Sequence, residues 1–278
     1  MDISLTPDID NYAVMGNPVA HSKSPLIHQA FAIETGERLA YQAILVPAGG
    51  FDKALDRFQQ LDGKGLNITV PFKEEACEAM DVLTPRAEQA GAVNTVWFGP
   101  GGRRHGDTTD GIGLVRDLAR LAMPVAGARL LILGAGGAVR GVVGELMQQR
   151  PDSLLIANRT VARAEALRER FPLYANIEVC GFEELAGKGG FDLVINAIPA
   201  GLTADLPPLP HKLVAGGCAY DMVYGDAVTP FVAWAREHGA RLAGDGLGML
   251  VEQAAESFYI WRGVRPQTEP VIDMLRDL

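Results

Sequence analysis

The segment Ala128–Gly141, ARLLILGAGGAVRG, most constrains what this chain can fold into. An apolar strand-forming run passes directly into glycines, and a helix-forming run follows. Gly134 permits the tight turn and Gly136 lets the backbone approach a pyrophosphate. The helix N-terminus adds unpaired N–H groups and the positive end of its dipole. The third position of the G-x-G-x-x-G fingerprint is Val139, and an ordinary glycine-rich βα turn shares the first two positions. Context strengthens the dinucleotide reading, because a second strand-like run, Leu154–Ala157, ends at the right distance. It is followed by Asn158-Arg159-Thr160, with Arg163 one turn into the next helix. An NAD site usually places a carboxylate there to accept from the ribose 2′-hydroxyl. Here two guanidinium groups stand instead, and their planar forks suit a 2′-phosphate, so NADP is expected over NAD. The alternative is a solvated basic start of a helix.

Short apolar runs alternate with amphipathic ones along the whole chain. Strands are expected at Tyr12–Met15, Tyr41–Val46, Leu66–Val70, Ala92–Trp97, Arg129–Leu133, Leu154–Ala157, Phe191–Asn196 and Cys218–Met222. Helices are expected at Pro25–Thr35, Phe51–Leu61, Gly113–Leu121, Ala138–Gln149 and Ala162–Phe171. Such alternation predicts an α/β protein with parallel sheets and crossover helices. Only helical patterns, Met249–Trp261 and Glu269–Leu275, follow the glycine-rich stretch 244–248. Two terminal helices with no later strand cannot extend a βαβ array. They are expected to return to the first half, giving a discontinuous domain of residues 1–110 and 246–278 with a Rossmann-type domain, 111–245, inserted in it.

A net charge of −9 argues against a nucleic-acid or anionic-membrane partner, each of which needs a basic face. Three widely spaced cysteines and five scattered histidines build neither a disulfide framework nor a metal site. The N-terminal MDISLTPDID has no apolar core of a signal peptide, and no apolar run reaches membrane-spanning length, so a reducing cytoplasmic setting is expected.

The first half carries polar residues in unusual positions. In HSKSP, Ser24 before Pro25 reads as an N-cap, and Ser22 and Ser24 also suit an anion at that helix start. In GLNITVPFK, Leu66, Ile68 and Val70 share one strand face while Asn67 and Thr69 share the other. Polar side chains on a buried strand need partners or a cleft. Lys73 falls in the first turn of a helix, against the dipole, which marks either a functional conflict or an exposed lysine. Asn94 interrupts a strand, Asp110 can cap a following helix, and Gln253 sits among apolar neighbours at helical spacing. Tyr224 reads equally as packing or as a ligand contact.

Taken together, GNPVAHSKSP (16–25), NITVPFKEEA (67–76), AGAVNT (90–95), GDTTDGIG (106–113), GAGGAVRG (134–141), NRT (158–160), YDMVYG (220–225) and DGLGMLVEQAAESFYIW (245–261) resemble the shikimate dehydrogenase family, in its order and spacing. The resemblance implies reversible reduction of 3-dehydroshikimate to shikimate with NADPH, on the route to chorismate and the aromatic amino acids, in two α/β domains with no metal. It implies that Ser22 and Ser24 hold the substrate carboxylate and that Thr69, Lys73, Asn94, Asp110 and Gln253 hold the ring hydroxyls. Lys73 and Asp110 match the catalytic pair, and Tyr224 matches a substrate-side position. Gly134, Ala135, Gly136, Gly137, Ala138, Asn158, Arg159, Thr160, Arg163, Met222 and Gly246 match cofactor positions. The implied partner is a small-molecule substrate, with the chain a monomer or a homodimer.

Three positions depart from the family pattern. Thr108 replaces a common Asn and bears on support of Asp110. Ala197-Ile198-Pro199 replaces a hydroxyl-bearing loop, and Pro85 stands where some members carry an acid. A quinate/shikimate or aminoshikimate-type paralogue, a folate-type dehydrogenase on a similar frame, and a non-catalytic NADPH sensor are the competing readings. The last would need no Lys73–Asp110 pair.

Overall fold

A computed structural model describes residues 3–198 and 206–278. The chain divides into two compact units, one of residues 1–110 and 251–277, the other of residues 111–250.

The first unit contains β1 (Asp10–Gly16), α1 (Ser24–Thr35), β2 (Leu39–Leu45), α2 (Phe51–Gln60), β3 (Gly65–Ile68), α3 (Lys73–Glu78), β4 (Val82–Leu83), α4 (Pro85–Ala90), β5 (Thr95–Phe98) and β6 (Arg104–Asp107). Their sheet has the order β2-β1-β3-β5-β6-β4. Phe51, Ala54, Leu55 and Phe58 recur at helical spacing and bury one face of α2 against Met15, Leu66 and Ile68. Gly36, at φ 71°, closes α1 in the left-handed conformation that glycine adopts without strain.

This sheet is mixed, not parallel as the alternation suggested. β5 runs antiparallel to both β3 and β6. Only Gly99–Arg103 separate β5 from β6, too few for the crossover that parallel neighbours need. β3 ends at Ile68, two residues short of the expected strand, because Pro71 has no N–H to continue a ladder and Val70 before it is exposed. Ser24 is the first residue of α1 and Lys23 its N-cap, so the expected serine cap is absent. The Ser22 hydroxyl accepts from the Ser24 N–H instead, at 3.3 Å.

The second unit begins within α5 (Asp110–Arg120), a helix that starts three residues earlier than expected. It continues through β7 (Arg129–Leu133), α6 (Gly137–Gln148), β8 (Ser153–Ala157), α7 (Val161–Glu169), β9 (Ile177–Cys180), β10 (Leu193–Asn196), β11 (Cys218–Asp221), α8 (Pro230–Glu237) and β12 (Leu242–Asp245). The six strands are all parallel, in the order β12-β11-β10-β7-β8-β9. Leu130 and Ile132 of β7 enter one core cluster, Leu131 and Leu133 the other. A strand buried on both faces must read as a continuous apolar run, as LLIL does. α9 (Leu247–Arg262) has its first turn in this unit and the rest in the first. α10 (Glu269–Arg276) completes the first unit. Among the described residues no helix is long and apolar enough to cross a membrane.

Candidate active site

In the first unit, polar side chains from six elements meet in one buried network. Lys73 is the first residue of α3 and Asp110 the first of α5. The Lys73 Nζ donates to Asp110 Oδ2 at 2.5 Å, with the lysine side chain 18% and the carboxylate 9% exposed. Asp110 sits at the positive end of an 11-residue helix, which favours its negative charge. The ammonium opposes the dipole of its own short helix, and the carboxylate opposite it offsets that conflict.

Asn94, immediately before β5, orders the other side of Asp110. Its Oδ1 accepts from the Thr109 N–H at 2.9 Å, which fixes the amide so that Nδ2 donates to Asp110 Oδ1 at 2.8 Å. The same Nδ2 lies 3.3 Å from Gln253 Oε1 on α9. Backbone bonds hold these pieces in register: Val93 N–H to Lys73 O at 2.9 Å, Asn94 N–H to Asp107 O at 3.0 Å, and Ile68 N–H to Asn94 O at 2.8 Å. Asn67 of β3 extends the network, donating to Ser257 Oγ at 3.0 Å and accepting from the Tyr41 hydroxyl at 2.7 Å. Thr95 and Ser257 share a hydrogen bond of 2.7 Å.

Ser22 is half-buried and Ser24 buried at the start of α1. Tyr41 has its phenol pushed well above the usual range by burial, with the Ser24 hydroxyl drawing it partly back. His28, one turn along α1 from Ser24, stacks on Tyr41 with ring centroids 4.2 Å apart and planes 7° apart. Burial lowers its imidazole to about 3, so the ring is neutral through the physiological range. Thr69 is half-buried beyond the end of β3. Lys73, Asn94, Asp110 and Gln253 are therefore directly linked in space. Ser24 reaches that cluster through Tyr41 and Asn67, while Ser22 joins Ser24. Sequence reading missed Tyr41, Thr95, Thr109 and Ser257. Ser257 was signalled by its place four residues after Gln253 on one helix, the other three by no local pattern. Thr108 is buried and its hydroxyl has no hydrogen-bond partner among the described residues, so that hydroxyl does not support Asp110.

In the second unit the candidate cofactor residues gather at the carboxyl ends of the parallel strands. The strand order reverses between β7 and β10, which is where open α/β sheets bind ligands. Gly134, at φ 110°, leaves β7 there, and a Cβ on it would lie 3.2 Å from the Ala197 carbonyl oxygen after β10. A Cβ on Gly136 or Gly137 would meet nothing within 4 Å, so these glycines are not demanded by internal packing. They and Ala138 are exposed, and α6 starts on them with no side-chain cap and no acid in its first turn. Unpaired N–H groups beneath an open surface suit a pyrophosphate.

Asn158 pins the turn after β8 by donating to the Thr160 carbonyl at 2.8 Å. Thr160 is the N-cap position of α7, whose first turn holds no acid. Arg159 and Arg163 are exposed and have no ion-pair partner among the described residues. This donor set fits a phosphorylated ribose. Met222 follows β11, its N–H bonded to the Asn196 carbonyl at 2.8 Å. Gly246 is tight against that turn, since a Cβ would lie 2.4 Å from the Met222 carbonyl oxygen. Tyr224 also belongs to this unit, half-buried, its phenol raised by burial. Ile198 donates its N–H to Asn196 Oδ1 at 3.2 Å, and Pro199 lies outside the described residues. Pro85 opens α4 beside the Thr84 cap. No group of three or more His, Cys, Asp or Glu suited to a metal occurs among the described residues.

Three family profiles match the chain: shikimate dehydrogenase substrate binding domain at 14–96, shikimate / quinate 5-dehydrogenase at 117–202, and shikimate 5′-dehydrogenase C-terminal domain at 246–276. The shikimate dehydrogenase (NADP(+)) of Alkalilimnicola ehrlichii is 58% identical over 269 residues, covering 96% of this chain and 98% of that one. The chain belongs to the shikimate dehydrogenase family. The corresponding protein of Halorhodospira halophila is 55% identical over 96% of this chain and 98% of its own. Among solved structures, an Ael1 enzyme from Pseudomonas putida superimposes with a TM-score of 0.89 at 48% identity, covering 96% of this chain and 98% of that one. The shikimate 5-dehydrogenase of Thermus thermophilus, in complex with NADP(H) and shikimate, gives 0.86 at 33% identity, covering 97% and 99%. Members of the shikimate dehydrogenase family thus share this chain's fold along essentially its full length.

Proposed function

We propose that the protein is an NADP-dependent shikimate dehydrogenase that reversibly reduces 3-dehydroshikimate to shikimate. The observation that carries this reading is the 2.5 Å contact of Lys73 with Asp110, ordered by Asn94, in a chain 58% identical to a named shikimate dehydrogenase. The unit of residues 1–110 and 251–277 holds the substrate and that of residues 111–250 the cofactor. Ser22 and Ser24 bind the carboxylate through their hydroxyls. Thr69, Asn94 and Gln253 bind ring hydroxyls, and Tyr224 contributes on the substrate side.

When bound, NADPH supplies the hydride. Gly134–Ala138 would hold its pyrophosphate and Asn158–Arg163 its phosphorylated ribose, with Met222 and Gly246 completing that site. Reduction of the ketone leaves negative charge on its oxygen, which must gain a proton. Lys73 has three N–H groups and commits one to Asp110, leaving others to donate to that oxygen and stabilise the charge as it develops. Asp110 keeps the ammonium in place and accepts from the adjacent ring hydroxyl. Asn94 prevents the carboxylate from rotating away.

The test is the initial rate of shikimate oxidation with NADP+, followed at the NADPH absorbance, beside quinate and NAD+ in all combinations. Turnover concentrated in the shikimate/NADP+ pair is expected. Activity confined to quinate or to NAD+ would assign a paralogous activity. Silence in all four, with NADPH still bound, would overturn the catalytic reading.

A further inference from the structure

β1 ends at Gly16, a buried residue whose φ lies outside the left-handed region. Its backbone conformation is open to any residue, so the glycine answers a demand for space. A Cβ at position 16 would lie 2.2 Å from Cγ2 of Thr69 and 3.2 Å from the Val70 carbonyl oxygen. Nonbonded carbons do not approach to the first distance, so one side must give. The backbones cannot separate cheaply. The Thr69 N–H bonds to the Met15 carbonyl and the Asn17 N–H to the Val70 carbonyl, both at 2.9 Å, on either side of the contact. The movable part is the Thr69 side chain, and a β-branched residue has few χ1 states to choose from. Rotation away from Gly16 turns the hydroxyl out of its present direction together with the methyl, since both are fixed to the same Cβ. In the present rotamer the methyl rests on Gly16, and the hydroxyl of this half-buried residue has no hydrogen-bond partner among the described residues. Packing against Gly16 is what holds its direction.

We propose that Gly16 is a positioning residue for the substrate site: by receiving the Thr69 methyl it fixes the rotamer that presents the Thr69 hydroxyl to a ring hydroxyl of the substrate. This rests on the reading of Thr69 as a substrate contact. It gives the glycine of the GNP motif a role in recognition, although Gly16 itself touches no ligand.

The experiment compares Gly16→Ala, Thr69→Ser, Thr69→Val and the double variant Gly16→Ala/Thr69→Ser for shikimate KM, kcat, NADPH affinity by fluorescence titration, and thermal unfolding. Serine keeps the hydroxyl and lacks the methyl that the new Cβ strikes. Gly16→Ala is expected to raise the shikimate KM about tenfold, the scale of one lost hydrogen bond, with NADPH affinity unchanged. The double variant should return KM to within about threefold of Thr69→Ser alone, as relief of a specific clash requires. A merely structural cost at position 16 would not be rescued in KM by shaving a neighbour's methyl. A double variant no better than Gly16→Ala, or a silent Gly16→Ala, overturns the proposal. Thr69→Val keeps the packing and removes the hydroxyl. An unchanged KM there refutes the Thr69 reading and the proposal with it. A raised KM beside a silent Gly16→Ala refutes the role of Gly16 alone. If Gly16→Ala does not fold, the double variant decides: folding with the KM of Thr69→Ser supports the clash, and failure to fold refutes it.

Discussion

Replacing Lys73 by alanine removes the ammonium from a contact of 2.5 Å in which the carboxylate is 9% exposed. Two losses follow, and they differ in size. A positioned general acid is worth roughly 10²–10⁴ in rate, and in the proposed mechanism the same ammonium would also stabilise the developing oxygen charge, so kcat/KM should fall about 10³–10⁴-fold, on the order of 4–5.5 kcal/mol in the barrier. The structural loss is smaller. Removing one partner of a fully buried pair costs about 3–5 kcal/mol, but Asp110 retains its bond from Asn94 and the start of α5, so about 1–3 kcal/mol is expected. Asp110→Asn and the double variant complete the cycle. Groups that act as one unit are grossly non-additive, so the double variant should be little worse than the worse single one. Initial rates and urea unfolding separate the two losses, and NADPH fluorescence titration should show cofactor affinity unchanged throughout. A Lys73→Ala enzyme within about tenfold of wild type, or losses that multiply across the cycle, would refute the reasoning.

Three further outcomes are open to direct measurement. Arg159→Ala should weaken NADPH binding by about tenfold or more while leaving NADH unaffected, as expected for a charge-assisted bond to the 2′-phosphate, and equal loss for both cofactors would refute that contact. His28 has its folded value depressed to about 3 from 6.5, so its contribution to stability is present above pH 6.5 and is lost as pH falls towards 3. Linkage over pH 7 to 5 amounts to about 2 kcal/mol, and His28→Phe should lose that much less stability than wild type across the same interval in urea titrations. Thr108→Val, which replaces a buried hydroxyl without a partner by a methyl of similar shape, should raise the urea midpoint, by about 1 kcal/mol in stability.

The second unit was the more legible half of the chain. Its four central strands, β7, β8, β10 and β11, are buried along almost their whole length, and Arg129–Leu133 emerges with the limits read from its apolar run. Strands β4, β6, β9 and β12 were not read because they are short and mostly half-buried or polar. RHGD and LAGD carry no period-two pattern that marks a strand. They exist because a neighbour supplies the ladder: Asp221 of β11 pairs with Asp245 of β12, and Trp97 of β5 with His105 of β6. The mixed character of the first sheet was hidden for the same reason, since the strand that reverses direction is recognisable only through the short connection that follows it.

The site divides along a different line. Residues whose types conflict with their local setting were visible, such as a lysine at a helix start and an asparagine in an apolar strand, because each is locally unfavourable and needs a compensating partner. The partners themselves satisfy local rules. Thr95 is a good strand former and Tyr41 fits an edge strand, so nothing near them in sequence marks them, and Ser257 is an ordinary helix residue marked only by its spacing from Gln253. Their roles appear only when β3, β5, α5 and α9 are brought together, and then they are required. Asn67 and Asn94 are both buried, and a buried amide left without partners costs about 1–3 kcal/mol per polar group. Tyr41, Thr95, Thr109 and Ser257 remove that cost and, in doing so, fix which way each amide points. The direction of the Asn94 amide decides whether Asp110 meets a donor or another oxygen. Residues outside the proposed substrate contacts thereby set the pattern of donors and acceptors around Asp110.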